Sequence, residues 1–290
     1  MSNTEIGAKV QIGPLLKESF IFVRRGWAAA PAALVVLVIS AAALQGYSSV
    51  SQGVSPWPLL IEVLIGTLAT GALYRSVLAA EHPDDPRFAV GPGGLQWGAL
   101  EWRVLGANLL VALLLAIVAA LAFIVWVIGL AALAAAHQLD IAALQGAQSQ
   151  GLAALAHLIS GPAWAVTAAV LAPAAALMIY LGVRFSLLAL QTADLGRLDF
   201  GRAWGLTRGA AGAIFVALVV IFACQFAAGE IALGLADLVA WLTRSADAAL
   251  LGAIVGAAAV AAFSLPMTVG MAIHVYGAQR GSAVARDRFG

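Results

Sequence analysis

The chain has 290 residues, of which 63% are hydrophobic and only 10% are charged, and its formal net charge is +1. A soluble domain carries about 25% charged residues because its surface must be hydrated, so this composition excludes an ordinary water-soluble globule. No stretch rich in Lys or Arg indicates nucleic-acid binding, and the single cysteine, Cys224, excludes an intrachain disulfide. The mean hydropathy of +0.99 predicts an α-helical membrane protein.

Six apolar segments are long enough to cross a bilayer, which takes about 20 residues of α-helix. We predict an all-α, polytopic membrane helical bundle that forms one integral membrane domain over residues 1–290. The predicted spans cover residues 27–45, 57–80, 104–136, 163–190, 210–241 and 248–276. The third span is longer than a bilayer core requires and should tilt or extend beyond it. Pro173 should kink the fourth without ending it.

The basic residues predict the orientation of these spans. Of the fifteen Lys and Arg residues, all but Arg244 fall before the first span, around the second-to-third and fourth-to-fifth connections, or after the last span. Because cytoplasmic connections are enriched in Lys and Arg, we expect both termini in the cytoplasm. The long external connection, residues 137–162, carries no Lys or Arg and is expected to form a short helix on the outer surface.

A short amphipathic segment precedes each odd-numbered span. PLLKESFIFVRRGW comes before the first span and DFGRAWGLTRG before the fifth, and their alignment places Phe20 over Trp204 and Arg24 over Arg208. The middle segment, GGLQWGALEWRVLG, aligns loosely. Such segments are typical of cytoplasmic interfacial amphipathic helices, and they suggest three repeats of interfacial helix plus transmembrane hairpin. The alternative is that any cytoplasmic flank of a span has these features.

The same segments carry a family resemblance. YLGVRFSLLALQTADLGRLDFGRAWGLTRG (Tyr180 to Gly209) resembles the signature region of the bacterial glycerophosphoryl diester phosphodiesterase membrane-domain family. LPMTVGMAIHVYGAQR (Leu265 to Arg280) is similar to the last span of that family, with an early proline and a Tyr-x-x-x-Arg exit. The resemblance covers most of the chain and implies a multi-pass protein of the bacterial inner membrane.

The sequence departs from the family pattern in two places, and it lacks the phosphodiesterase domain after which the family is named. Ala203 stands where serine is usual, and Ala189-Leu190-Gln191 replaces a stretch that more commonly contains proline. Nearly all residues are used by the predicted spans, so no phosphodiesterase domain is expected. The resemblance is therefore to the membrane part alone, and it implies no phosphodiesterase activity.

Three polar residues within predicted spans form a candidate intramembrane site. Glu230 lies well inside the fifth span, where a carboxylate is costly unless it is paired, protonated or hydrated. Gln225 precedes it by five positions and shares its helix face only approximately. Glu62 lies about one turn into the second span, where it can reach the surface. These side chains could bind a proton or a substrate; the alternative is a protonated or hydrated residue without such a role.

Four arginines near the predicted cytoplasmic span ends are candidate headgroup contacts: Arg24, Arg184, Arg202 and Arg208. A guanidinium group binds a lipid phosphate through two parallel hydrogen bonds. For Arg184, which lies near Tyr180, the alternative is an arginine that only extends toward the membrane surface.

The sequence contains no motif for catalysis, metal binding or a cofactor. The four histidines lack paired-ligand spacing, GPGG at 91–94 lacks the Gly-Lys-Ser/Thr of a phosphate-binding loop, and no G-x-S-x-G elbow occurs. We expect no enzymatic activity, no metal and no cofactor. Gly252-x-x-x-Gly256 fits close helix packing, although glycine is common enough here for such pairs to arise by chance.

These observations favour a non-catalytic protein of the bacterial cytoplasmic (inner) membrane that binds lipids or partner proteins and serves envelope or membrane homeostasis. The alternative is a small-molecule or lipid transporter that uses the intramembrane carboxylate Glu230. The expected partners are membrane lipids and, as a second possibility, a membrane protein; no nucleic acid is expected.

Overall fold

The computed structural model describes residues 10–50, 56–137, 161–243 and 247–289. Within these ranges the chain is helical and contains no β-strand, which confirms the predicted all-α class. Among the described residues, six helices are long and apolar enough to cross a membrane, as the sequence predicts. The external connection at 137–162, expected to form a surface helix, lies almost wholly outside the described residues.

Long helices alternate with short helices and turns along the chain. In the described ranges the helices are α1 (Ile12–Ala29), α2 (Pro31–Val50), α3 (Trp57–Glu81), α4 (Ala99–His137), α5 (Gly161–Phe185), α6 (Leu188–Leu195), α7 (Phe200–Thr207), α8 (Ala211–Thr243) and α9 (Asp247–Phe289). Two 3₁₀ turns, Pro86–Phe88 and Pro92–Gly94, lie between α3 and α4. The six candidate spans come from α2, α3, α4, α5, α8 and α9.

The first span begins later than predicted. The predicted boundary was Trp27, but α1 continues to Ala29 and α2 begins at Pro31. Proline lacks an N–H and disfavours helical backbone at the residue before it, and Ala30 accordingly has φ −136° and ψ 55°. Trp27 therefore belongs to α1, where its indole N–H donates to the carbonyl of Ala262 at 2.8 Å.

The chain forms two compact units, residues 1–108 with 184–290 and residues 109–183, so α4 and α5 contribute to both. In the second unit, Trp126 Nε1 donates to Thr167 Oγ1 at 3.0 Å, and a Cβ built on Gly129 would lie 2.8 Å from Val166. α5 continues through Pro173 without ending, as the sequence predicts.

In the first unit, α9 packs against α8, α1 and α2. Its contact with α8 depends on small residues. A Cβ on Gly256 would lie 2.9 Å from the Cβ of Ala232, and a Cβ on Gly252 would overlap Ala236. The sequence pair Gly252 and Gly256 therefore lets two apolar helices approach closely, which is how helices associate when lipid provides no hydrophobic drive.

The amphipathic segments before the first and fifth spans fold as α1 and α7, each with a buried and an exposed face. Phe22 of α1 and Leu206 of α7 are buried, whereas Arg24 and Arg208 are exposed. These two aligned pairs share their degree of burial, whereas in the pair Phe20 and Trp204 the first residue is exposed and the second is half-buried. Both helices pack against α9.

The connection between α3 and α4 folds back against α2 through two glycines. Gly93 and Gly94 have φ values of 59° and 81°, in the left-handed region that glycine adopts without strain. A Cβ on Gly93 would lie 2.6 Å from the Cβ of Ala32. The side chain of Gln96 closes the loop by donating to the carbonyl of Ala89 at 2.8 Å. This loop forms one wall of the candidate site.

Candidate functional site

Among the described residues of the first unit, four charged side chains are buried. They lie near the end of α3, the start of α4, and the region where α6 and α7 meet α9. They are Arg75, Glu101, Arg184 and Asp194. A charge removed from water is tolerated only when it is paired or hydrogen-bonded. The contacts of these four residues therefore define the geometry of this end of the bundle.

Arg75 of α3 and Glu101 of α4 form a bidentate ion pair, with Nε–Oε1 2.8 Å and Nη2–Oε2 2.6 Å. The remaining guanidinium nitrogen of Arg75, Nη1, donates to the carbonyl of Arg87 at 2.8 Å, and Glu101 Oε2 accepts the Gly98 N–H at 2.8 Å. A Cβ on Gly71 would lie 2.8 Å from Glu101 Oε1, so glycine leaves room for the carboxylate. The pair fixes α3, α4 and their connection together.

Asp194 of α6 connects three segments that are distant in sequence. Its Oδ2 accepts the hydroxyl of Tyr276 at 2.6 Å and lies 3.3 Å from Arg280 Nη1, and its Oδ1 lies 3.7 Å from His82 Nε2. Arg280 also contacts Glu81 Oε2 at 3.0 Å. This network joins the end of α3, α6 and the C-terminal part of α9.

Arg184, at the end of α5, holds α7. Its guanidinium carbon lies 4.2 Å from the ring centroid of Trp204, a cation–π contact. Thr207 Oγ1 accepts from Arg184 Nη1 at 3.4 Å and lies 3.1 Å from the Arg184 carbonyl oxygen, to which it donates. The contacts described for this predicted headgroup ligand are thus internal to the protein, and a contact with lipid stays a prediction.

A cavity of about 470 Å³ lies beside the Arg75–Glu101 pair, under the α3–α4 connection. Its lining includes Arg75, Arg87 and Arg103. Asp85 binds Arg87 through Nε at 2.9 Å and Nη2 at 2.6 Å. The hydrogen bonds from Arg87 hold the pKa of Asp85 below its ordinary value of 3.8, and Asp85 in turn raises the pKa of Arg87. Both groups therefore remain charged at neutral pH.

An apolar groove of about 280 Å³ adjoins this cavity, because Trp97 lines both. The other residues of the groove are Val36, Leu64, Ile65, Leu68 and Trp102. The two indoles make an edge-to-face contact with centroids 5.3 Å apart, and Trp102 is 60% exposed. A basic cavity and an apolar groove thus share one aromatic wall.

A third cavity, of about 700 Å³, lies between α2, α3 and α9 and contains Glu62. Most of its lining is apolar, and Ser40, Ser48 and Ser264 add hydroxyl groups. Within the described residues, Glu62 makes no ion pair or hydrogen bond. The arrangement places one carboxylate in a largely apolar space that is large enough for a small molecule.

The structure does not gather the predicted polar residues into one cavity. Glu62 lines the third cavity, to which neither Glu230 nor Gln225 contributes. Glu230 is exposed on α8 and Gln225 is half-buried. Arg24, Arg202 and Arg208 are exposed on or beside α1 and α7.

Sequence reasoning missed the residues that form the site itself. Arg75 and Arg103 entered only as basic residues that indicate orientation, and Glu101, Asp194 and Tyr276 were not singled out. The available signal was the presence of opposite charges at the ends of apolar segments, Arg75 in one and Glu101 in the next. Their pairing depends on how α3 and α4 fold back on each other, which sequence spacing alone does not specify.

In the part of the chain that the structure describes, no group of three or more His, Cys, Asp or Glu side chains is arranged to hold a metal ion. The chain matches no protein-family model, no curated protein and no solved structure. The geometry of the first unit therefore carries the functional argument.

Proposed function

We propose that the chain is a non-catalytic multi-pass protein of the bacterial cytoplasmic membrane that binds anionic lipids at the arginine-bearing end of its helix bundle, in the service of membrane homeostasis. The observation that carries this proposal is the exposure of Arg24, Arg202 and Arg208, which lie on or directly after two amphipathic helices that bury their other face against α9. Exposed Phe20 and Phe200 lie on the same helices.

These two helices carry the aromatic and basic side chains that favour a bilayer surface. Aromatic side chains favour the boundary between headgroups and acyl chains, and each basic residue near an anionic surface contributes about 1 kcal/mol of attraction. Among the described residues, the side chains of Arg24, Arg202 and Arg208 make no ion pair or hydrogen bond that would compete with phosphate. The bacterial location and the cytoplasmic placement of this end rest on the family resemblance and the distribution of basic residues.

The test compares lipids that co-purify with the wild type and with a triple Arg24→Ala, Arg202→Ala, Arg208→Ala variant in nanodiscs of mixed anionic and zwitterionic lipid. We expect enrichment of anionic lipid around the wild type and its loss in the alanine variant. The matched control replaces the same three residues with lysine, which keeps the charge and should preserve the enrichment. Equal lipid composition around all three proteins would refute the proposal.

A second candidate function, transport of a proton or a cationic small molecule, is favoured by the position of Glu62 in the 700 Å³ cavity. Glu62 lines this cavity and is itself exposed. A carboxylate in an apolar span has a low cost only when it is hydrated, is paired, or binds a proton or a cation. Proteoliposomes with an entrapped pH dye should show proton flux that Glu62→Gln abolishes and Glu230→Gln, outside that cavity, leaves unchanged. Absence of flux from the wild type would eliminate proton transport.

A further inference from the structure

Three guanidinium groups line the 470 Å³ cavity, but only two carboxylates neutralise them. Glu101 pairs with Arg75, and Asp85 pairs with Arg87. Arg103, the third, makes no hydrogen bond or ion pair within the described ranges of the chain. Asp194 also attracts Arg87 electrostatically, but among the described residues Arg103 is a guanidinium of the lining without an ion-pair partner.

Two of these arginines, Arg87 and Arg103, both approach Gly196. A Cβ built there would lie 3.3 Å from Nη1 of Arg103 and 3.6 Å from Nη1 of Arg87. The Nη1 of Arg87 is the nitrogen that does not bind Asp85, since Nε and Nη2 make those hydrogen bonds. Two cationic donors thus face the same region without an acceptor among the described residues, and an anion placed between them would relieve their repulsion.

The apolar groove indicates which kind of anionic ligand fits this site. Trp97 separates the arginine-lined cavity from the groove formed by Val36, Leu64, Ile65, Leu68 and Trp102, all of which are apolar or aromatic. A free anion would use the cavity alone. A ligand that fills both spaces must have an anionic group, such as a phosphate, at one end and a hydrocarbon chain at the other.

We propose that this pair of cavities binds one anionic phospholipid, with its phosphate between Arg87 and Arg103 and an acyl chain in the groove beside Trp97. The site rests on the proposed function and deepens it, because it names one stoichiometric lipid where the exposed arginines of α1 and α7 attract anionic lipid in general. The 470 Å³ volume suits a glycerophosphate headgroup, since ligand sites usually measure about 300–1,000 Å³. A phosphodiester carries a single negative charge, which would pair with Arg103.

The test measures the lipids that remain on the detergent-purified protein by native mass spectrometry during titration with short-chain phosphatidylglycerol. The wild type should retain one lipid. Arg103→Ala should weaken binding about tenfold or more, since a hydrogen bond to a charged group is lost. Asp85→Asn should strengthen binding, because it frees the whole guanidinium of Arg87. This gain cannot arise from misfolding, so unchanged or weaker binding by Asp85→Asn overturns the proposal.

Two further measurements distinguish binding of a lipid from binding of a free anion. Leu64→Trp narrows the groove at an exposed position and should weaken lipid binding. Inorganic phosphate should compete poorly, and diacylglycerol, which has the chains without phosphate, should not bind. Competition by inorganic phosphate at equal concentration, or lipid binding by Leu64→Trp equal to that of the wild type, would overturn the assignment to a phospholipid.

The triple arginine variant distinguishes this site from the general lipid binding proposed above. Retention of one lipid by the Arg24, Arg202 and Arg208 triple alanine variant, with loss of bulk anionic enrichment, supports both proposals. Normal lipid retention by Arg103→Ala overturns the site alone. Bulk enrichment that survives in the triple variant overturns the proposed function alone.

Discussion

Arg75 and Glu101, 26 positions apart in the chain, bind each other through two parallel hydrogen bonds of 2.8 and 2.6 Å in a buried environment. Their side chains are 8% and 0% exposed. Since α3 and α4 are joined by a loop of turns, this ion pair determines how the second candidate span leads into the third. Arg75 of this pair also lines the arginine-lined cavity.

Removal of either member of this pair should destabilise the protein. Glu101→Gln or Arg75→Ala leaves a buried charge without its partner, which typically costs roughly 3–5 kcal/mol. The double variant Arg75→Met, Glu101→Met removes both charges and should be less destabilised than the sum of the two single variants. Thermal unfolding in one detergent measures all of these effects. Additive losses would show that the two residues act independently.

Close packing of α8 on α9 gives a second prediction. Gly252→Ala places a methyl group against Ala236, so the helices must separate, at a cost of about 1–3 kcal/mol. The matched control is Gly229→Ala on α8, where a Cβ would meet no atom within 4 Å. The control should be neutral or slightly stabilising, because alanine favours helix more than glycine does. Equal thermal stability of the two variants would contradict the observed packing.

The hydroxyl of Tyr276 should contribute measurably to stability. Tyr276→Phe removes a hydrogen bond of 2.6 Å to Asp194, and bonds to charged groups contribute about 1.5–3 kcal/mol. Tyr47→Phe serves as the control, because Tyr47 is 50% exposed and has no described hydrogen bond. A lower melting temperature is expected for Tyr276→Phe alone. If both variants had the melting temperature of the wild type, the hydrogen bond from Tyr276 to Asp194 would not contribute to stability.

Retention of a phosphodiester lipid at the arginine-lined cavity should be constant between about pH 6 and pH 8. The pKa of Asp85 is lowered and that of Arg87 is raised, so neither group changes its charge in this range. The Asp85–Arg87 pair is complete above the ordinary pKa of Asp85 and is lost only as the pH falls through its lowered value. Binding should therefore strengthen only in acid, when protonation of Asp85 frees Arg87. Native mass spectrometry across this range measures it. A transition near neutral pH would contradict this prediction.

The helical class and the number of candidate spans follow from the sequence because apolar runs of about 20 residues satisfy their own backbone hydrogen bonds as helices. The sequence also predicted that the helix continues through Pro173. It indicated Gly252 and Gly256 only as a pair that fits close packing or arises by chance, and the structure places them against α8. The first candidate span begins at Pro31 rather than near Trp27, because Pro31 separates α2 from the amphipathic α1 even though apolar residues continue from Trp27 into α2.

The candidate site could be predicted only in part. Glu62 drew attention as a carboxylate in an apolar segment, and the structure places it in a cavity. Hydropathy identifies an isolated charge, but it does not show whether a partner from another helix is present. For this reason Glu230 was a candidate and Glu101 was not singled out, although the structure shows that Glu101 is held in a buried network.

Composition and hydropathy alone determined that this protein is a helical bundle with six segments suited to a membrane, because the transfer of apolar side chains from water depends on local sequence and length. Only the tertiary structure decided which charges meet. The residues of each such pair come from different segments: Arg75 and Glu101, Asp194 and Tyr276, Arg87 and Arg103. Their energies depend on distances of a few ångströms, which are set by how the helices pack.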